Sequence, residues 1–100
     1  MINSAEKPLE VVLELLGQRG VYTILQSLTS NPMRFGALQQ VTALPPRTLS
    51  LRLKELEEAD LITRTEYNEV PPRVDYALTD TGKALRPALE ALAAWEKQHA

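Results

Sequence analysis

The stretch from Pro45 to Arg64, Pro-Pro-Arg-Thr-Leu-Ser-Leu-Arg-Leu-Lys-Glu-Leu-Glu-Glu-Ala-Asp-Leu-Ile-Thr-Arg, constrains the fold more than any other part of the chain. Leu49, Leu53 and Leu56 recur at intervals of four and three, which lines them along one face of a 3.6-period helix and requires that face to be buried. The helix runs straight into a strand. Its opposite face carries Arg47, Leu51 and Lys54, flanked by Ser50 and Thr48. Those groups suit phosphates, base edges and a thymine methyl, so this face is the candidate for reading nucleic acid.

Length and composition narrow the setting. A chain of 100 residues supports one domain, 1–100, and buries roughly 60 to 70% of its unfolded surface. Hydrophobic residues at 44% and charged residues at 24% are near the averages of soluble globular proteins, which disfavours disorder. No apolar run approaches the ~20 residues of a bilayer span, and the amino-terminal residues lack the organisation of a signal peptide. The expectation is therefore a cytoplasmic protein without membrane association. There is no cysteine, so a disulfide, a thiol switch and a thiolate metal site are all ruled out within these residues.

Charge argues in two directions. The net charge of −2 and pI near 5.4 lack the basic footprint usual for nucleic-acid binders. Yet from Arg34 to Lys54 the chain carries Arg34, Arg47, Arg52 and Lys54 with no acid, and Glu55, Glu57, Glu58 and Asp60 follow at once. Segregation of this kind attracts a polyanion to one end of a helix while the acidic remainder limits indiscriminate binding.

Taken in order, residues 1–7 form a polar arm, and Pro8 fits the first position of a helix. Leu9, Val12, Leu13 and Leu16 follow at helical spacing, and Val11 and Leu15 widen the apolar arc enough to point to a partner surface. The interval from Gly17 to Gly20 interrupts the pattern. A second helix begins at Val21, with Ile24, Leu25 and Leu28, and Asn31-Pro32 ends it, because the residue before a proline is pushed out of the α region. Phe35, Leu38 and Val41 mark a third, short helix, and Pro46 fits the first turn of the fourth. A short helix, a tight turn and a helix with a polar outer face over 35–60 is a helix-turn-helix arrangement, whose second helix enters the major groove.

Residues 61–78 read as a wing. Leu61 to Tyr67 is strand-like, Asn68 to Pro72 is a proline-stiffened turn, and Val74, Tyr76 and Leu78 alternate with Arg73, Asp75 and Ala77. Arg64 and Arg73 are placed to straddle a duplex backbone and contact phosphate. Glu66, Glu69 and Asp75 make the wing slightly acidic overall. Thr79 or Asp80 caps a final helix over 79–98, in which Leu85, Ala88, Leu89, Leu92 and Trp95 form a seam of coiled-coil spacing. Pro87 predicts a kink, or a break close to Arg86.

At this point the sequence resembles the HxlR-type winged helix-turn-helix regulators of the MarR-like superfamily, from about Leu9 to Trp95. The resemblance is most specific over Glu69-Val70-Pro71-Pro72-Arg73-Val74-Asp75-Tyr76-Ala77-Leu78-Thr79, followed by Gly82, Leu85, Pro87, Leu89 and Trp95. Leu49 to Glu57 looks like that family's recognition helix, and Met33-Arg34-Phe35 with Leu38 looks like the entry to the helix before it. The resemblance implies a mainly α fold with a small antiparallel β-hairpin. It also implies a homodimer formed through the first and last helices and bound to double-stranded DNA at palindromic operators. Arg19-Gly20 stands where such regulators usually have a Lys-Trp pair, and Pro45-Pro46 with Leu51 replace residues that are more often polar.

The expected DNA contacts are Arg34, Arg47, Thr48, Ser50, Leu51, Lys54, Arg64 and Arg73. Arg52 belongs with them or pairs instead with Glu55. The expected dimer contacts are Leu9, Val12, Leu16, Leu85, Leu89, Leu92 and Trp95. The alternative is a winged-helix module that binds protein and does not read DNA. No Gly-rich phosphate loop, nucleophile elbow or histidine metal motif is present, so neither an enzyme nor a cofactor is expected. The residues identify no small-molecule effector, operator sequence or direction of regulation.

Overall fold

The computed structural model describes residues 8–100, so the expected polar arm lies outside the described residues. In chain order the elements are α1 (Pro8–Leu16), α2 (Val21–Leu28), α3 (Phe35–Thr42), α4 (Pro46–Glu58), β1 (Ile62–Tyr67), β2 (Arg73–Leu78), α5 (Asp80–Lys83) and α6 (Arg86–His99). The two strands pair antiparallel, from Ile62 opposite Leu78 to Tyr67 opposite Arg73. The fold is mainly α with one β-hairpin, a winged helix-turn-helix.

One apolar core organises these elements around α2, whose Val21, Ile24, Leu25 and Leu28 are buried. Leu38 of α3, Leu49, Leu53 and Leu56 of α4, Ile62, Tyr76 and Leu78 of the hairpin and Leu89 of α6 close around it. Among the described residues no polar or charged residue is fully buried, so the core is held by apolar burial. Burying a leucine stabilises by roughly 1.5 to 3 kcal/mol. A helix the length of α4 is marginal by itself in water, and its three buried leucines supply what isolated helix formation lacks.

The turn between α3 and α4 is locked by its own side chains. Ala43 adopts a left-handed conformation, φ 56°, and its N–H donates to the Gln39 carbonyl at 2.8 Å. The Thr42 hydroxyl donates to the Leu38 carbonyl at 2.8 Å, and Leu44 turns inward and is buried. Leu44 packs against Gly20, which adopts φ 87° in the connection between α1 and α2. A second backbone link joins the helix-turn-helix to the wing. Met33 and Tyr76 exchange N–H to carbonyl hydrogen bonds of 2.9 and 2.8 Å, so the chain entering α3 extends the hairpin.

Of the two outcomes expected at Pro87, a kink or a break close to Arg86, the carboxyl-terminal part shows the break, so the segment 79–98 is not one continuous helix. It forms two helices, α5 and α6, separated at Ala84 and Leu85. Thr79 is the cap: its hydroxyl accepts from the Gly82 N–H at 2.9 Å and donates to the Asp60 carbonyl at 2.7 Å. Pro87 lies in the first turn of α6, where no intrahelical partner awaits its missing N–H, so the proline starts a helix instead of bending one. Arg86 donates to the Thr29 carbonyl, and the Tyr22 hydroxyl donates to the Leu89 carbonyl at 3.3 Å, which fixes α6 against α2.

Leu89 requires a further correction. Expected at a dimer interface, it is 1% exposed and belongs to the core of its own chain. Val12, Leu16 and Leu85 are half-buried against the same core, whereas Leu9, Leu92 and Trp95 are exposed. Coiled-coil spacing alone does not distinguish these positions. The direction from which α2 approaches α6 does.

Candidate nucleic-acid interface

The outer face of α4 is assembled by the burial of its inner one. With Leu49, Leu53 and Leu56 in the core, helical geometry turns Arg47, Ser50, Leu51 and Lys54 to the surface and leaves Thr48 and Arg52 half-buried at its edges. Leu51 is 49% exposed, a large apolar side chain on an otherwise polar face. Pro46 stands in the first turn and no side chain caps the amino end of α4. The positive end of the helix dipole therefore adds to Arg47 in attracting an anion.

Ion pairing separates the basic residues into two groups. Among the described residues Arg47 and Lys54 form no ion pair. Arg52 pairs with Glu55 one helical turn away and its side chain is only 17% exposed. The wing arginines are also paired. Arg64 contacts Glu66 at 2.6 Å, and hydrogen bonding to that carboxylate, then to Tyr76, holds the guanidinium above its ordinary pKa.

The strand register decides which wing residues meet. Directly opposed residues share a face of the hairpin, so Arg64 and Glu66 lie with Val74 and Tyr76, whereas Arg73 and Asp75 lie with Tyr67 and Thr65 on the other face. Arg64 and Arg73 thus point to opposite sides of the wing. Arg34, at the amino end of α3, joins Arg73: Asp75 Oδ1 is 3.9 Å from Arg34 Nε and 3.6 Å from Arg73 Nε. The Arg73 guanidinium also lies 3.7 Å from Glu69 and stacks 4.0 Å over the ring of Tyr67.

Sequence reading missed two features of this region. Nothing in residue spacing announces the Met33–Tyr76 backbone exchange that brings Arg34 to Asp75, because it uses main-chain groups every residue carries. The seating of Leu44 by Gly20 was also missed. A glycine interrupting an apolar pattern was its only sequence signal.

A second surface lies at α1 and α6. Leu9 and Leu13 are exposed on α1, as are Leu92 and Trp95 on α6. A cleft of about 270 Å³, lined by Leu16, Tyr22, Leu92, Trp95 and Glu96, opens between these helices and α2. The Trp95 ring stacks on His99, with centroids 4.8 Å apart, and stays largely open to solvent.

The profile of a family described as HxlR-like helix-turn-helix matches residues 15–100 of this chain. The chain belongs to that family. HxlR-like proteins are helix-turn-helix transcription regulators and not enzymes. An uncharacterized HTH-type transcriptional regulator, BH0655 of Halalkalibacterium halodurans, is 40% identical over 95 residues, covering 93% of this chain and 84% of that protein. The reduced form of the transcriptional regulator YodB from B. subtilis superposes with a TM-score of 0.80 at 31% identity, covering 98% of this chain and 94% of that one. The oxidized form of the redox regulator HypR gives a TM-score of 0.84 at 28% identity, covering 92% and 96% of the two chains. This HxlR-like chain has no cysteine, so thiol oxidation is unavailable to these residues as a signal.

Proposed function

We propose that this HxlR-like protein is a sequence-specific, DNA-binding transcription regulator that acts in the cytoplasm as a homodimer on an operator of inverted half-sites. The observation that carries the reading is the outer face of α4. It presents Arg47 and Lys54, two cations with no ion pair among the described residues, together with Ser50 and exposed Leu51, opposite three leucines that anchor the helix. In this reading Arg47 contacts guanine or phosphate, Lys54 a phosphate, Thr48 and Ser50 polar groups, and Leu51 a thymine methyl. Arg34, Arg64 and Arg73 contribute from the wing and the entry to α3.

The exposed apolar residues of α1 and α6 support dimerisation. Leu9, Leu13, Leu92 and Trp95 form the kind of surface that a second copy covers, with Val12, Leu16 and Leu85 at its base. Two-fold symmetry then places two copies of α4 in successive major grooves about one helical turn apart. No helix of the described residues is long and apolar enough to cross a membrane.

Selection of bound duplexes from a randomised library, followed by sequencing, tests the proposal. Enrichment of inverted half-sites whose centres lie about one turn apart is the expected result. The absence of any enriched duplex, or binding that is indifferent to salt, overturns it. A stable protein partner that occupies the α4 face without any DNA binding instead supports a winged-helix interaction module.

A further inference from the structure

The ion pairs of the wing have a consequence for how discrimination between DNA sequences arises. Arg34, Arg64 and Arg73 are the cations that would meet phosphate from the wing and the start of α3, and each is matched by a carboxylate of the same region, Glu66, Glu69 or Asp75. Asp75 is the central carboxylate because its charge lies beside Arg34 from the helix-turn-helix and Arg73 from the strand. Its side chain is 21% exposed, so water screens it less than it screens the Arg34 side chain, which is 65% exposed.

The Asp75 contacts neutralise charge without orienting it. Asp75 lies beyond hydrogen-bond reach of both guanidinium Nε atoms, at 3.9 and 3.6 Å, and Arg73 Nε is buried without a hydrogen-bond partner. A carboxylate that aimed these arginines at a phosphate would bind them through directional hydrogen bonds. Here Arg73 is held by charge on two sides and by the Tyr67 ring on a third. A phosphate that approaches Arg34 or Arg73 also feels Asp75, since the separations are well inside a Debye length of about 8 to 10 Å.

We infer that Asp75, assisted by Glu69, is a specificity-determining residue that keeps the wing and the adjoining Arg34 together electrically neutral and so suppresses sequence-independent DNA binding. The inference rests on the DNA-binding reading above. Non-specific affinity comes from uncompensated cations that displace counterions from phosphate. With the wing self-neutralised, that role falls to Arg47 and Lys54, on the helix that also reads base edges.

The test compares wild type, D75N and E69Q on a mixed-sequence duplex and on a duplex recovered by selection, each titrated across salt concentration. E90Q, which removes the same charge from the exposed face of α6, is the control. D75N is expected to tighten mixed-sequence binding about tenfold at low salt and to steepen the log K against log salt slope by about 2 for a dimer, one contact per subunit. E69Q is expected to act in the same direction and more weakly, and E90Q to leave the slope unchanged. The ratio of selected to mixed-sequence affinity falls in D75N. A folded D75N whose slope changes by less than about 1, or which binds more weakly, overturns the inference. If D75N does not fold, an unchanged slope in E69Q overturns it. Failure of wild type to bind either duplex overturns the DNA-binding reading itself, an outcome distinct from a variant that behaves like wild type.

Discussion

A Cβ built on Gly82 would lie 2.1 Å from the carbonyl oxygen of Leu61, so the start of α5 and the base of the wing touch backbone to backbone. The same Leu61 carbonyl accepts the Thr79 N–H at 3.0 Å, and Thr79 caps α5 through the Gly82 N–H. Glycine here sets the distance between the wing and everything after it.

Gly82→Ala must push these backbones apart. The expected cost is about 2 to 3 kcal/mol, the scale of overpacking a closed site. For a domain of this size that lowers the melting temperature by roughly 10 to 20 °C. Thermal denaturation followed by circular dichroism measures it, and an unchanged melting temperature contradicts the close approach.

Gly20→Ala is expected to combine two penalties. Its φ of 87° is costly for a residue with a side chain, and the new Cβ would stand 2.5 Å from Leu44 Cδ1. Leu44 ends the turn that aims α4, so this variant should lose DNA affinity as well as about 1 to 2 kcal/mol of stability. A binding titration at a temperature where the variant is still fully folded separates the two effects. Full affinity under those conditions would show that Leu44 does not transmit the change to α4.

Leu89 and Trp95 share one helix and should behave oppositely. Leu89→Ala opens a cavity in the core and is expected to cost about 2 to 5 kcal/mol in the folded chain. Trp95→Ala removes a side chain that is 62% exposed and should leave the protomer folded while shifting it from dimer toward monomer. Sedimentation velocity over a range of concentrations, paired with thermal melts, reads both outcomes. Loss of stability in the Trp95 variant with no change in mass would place Trp95 against its own chain.

On α4, Lys54→Ala and Leu51→Ala should be separable by salt. Lys54→Ala is expected to flatten the salt slope by about 2 for a dimer, to similar extents on every duplex. Leu51→Ala should leave the slope and the melting temperature unchanged and weaken binding of the selected duplex about tenfold. Arg52→Ala, whose side chain is committed to Glu55, should change DNA affinity less than either. Equal losses for all three would contradict the division of the helix into a free and a paired set.

What the sequence determined by itself was the part governed by local rules. The interval of four and three leucines places α4 and its buried face, Pro46 its first turn, and alternation through Val74, Tyr76 and Leu78 a half-buried strand, because periodicity and proline act within a few residues. Tertiary structure decided the matters that depend on what approaches from a distance. Leu89 and Trp95 occupy the same apolar stripe, and only the packing of α2 on α6 buries one and exposes the other. Pro87 reads equally as a kink or a break until the short helix that Thr79 caps is seen to stop at Lys83, before α6 begins at Arg86. Arg34 and Asp75 are separated by forty residues of chain, and the Met33–Tyr76 backbone exchange brings them together. Residue types alone show cations and carboxylates near the wing. Which of them cancel is a matter of register and face, and that belongs to the folded chain.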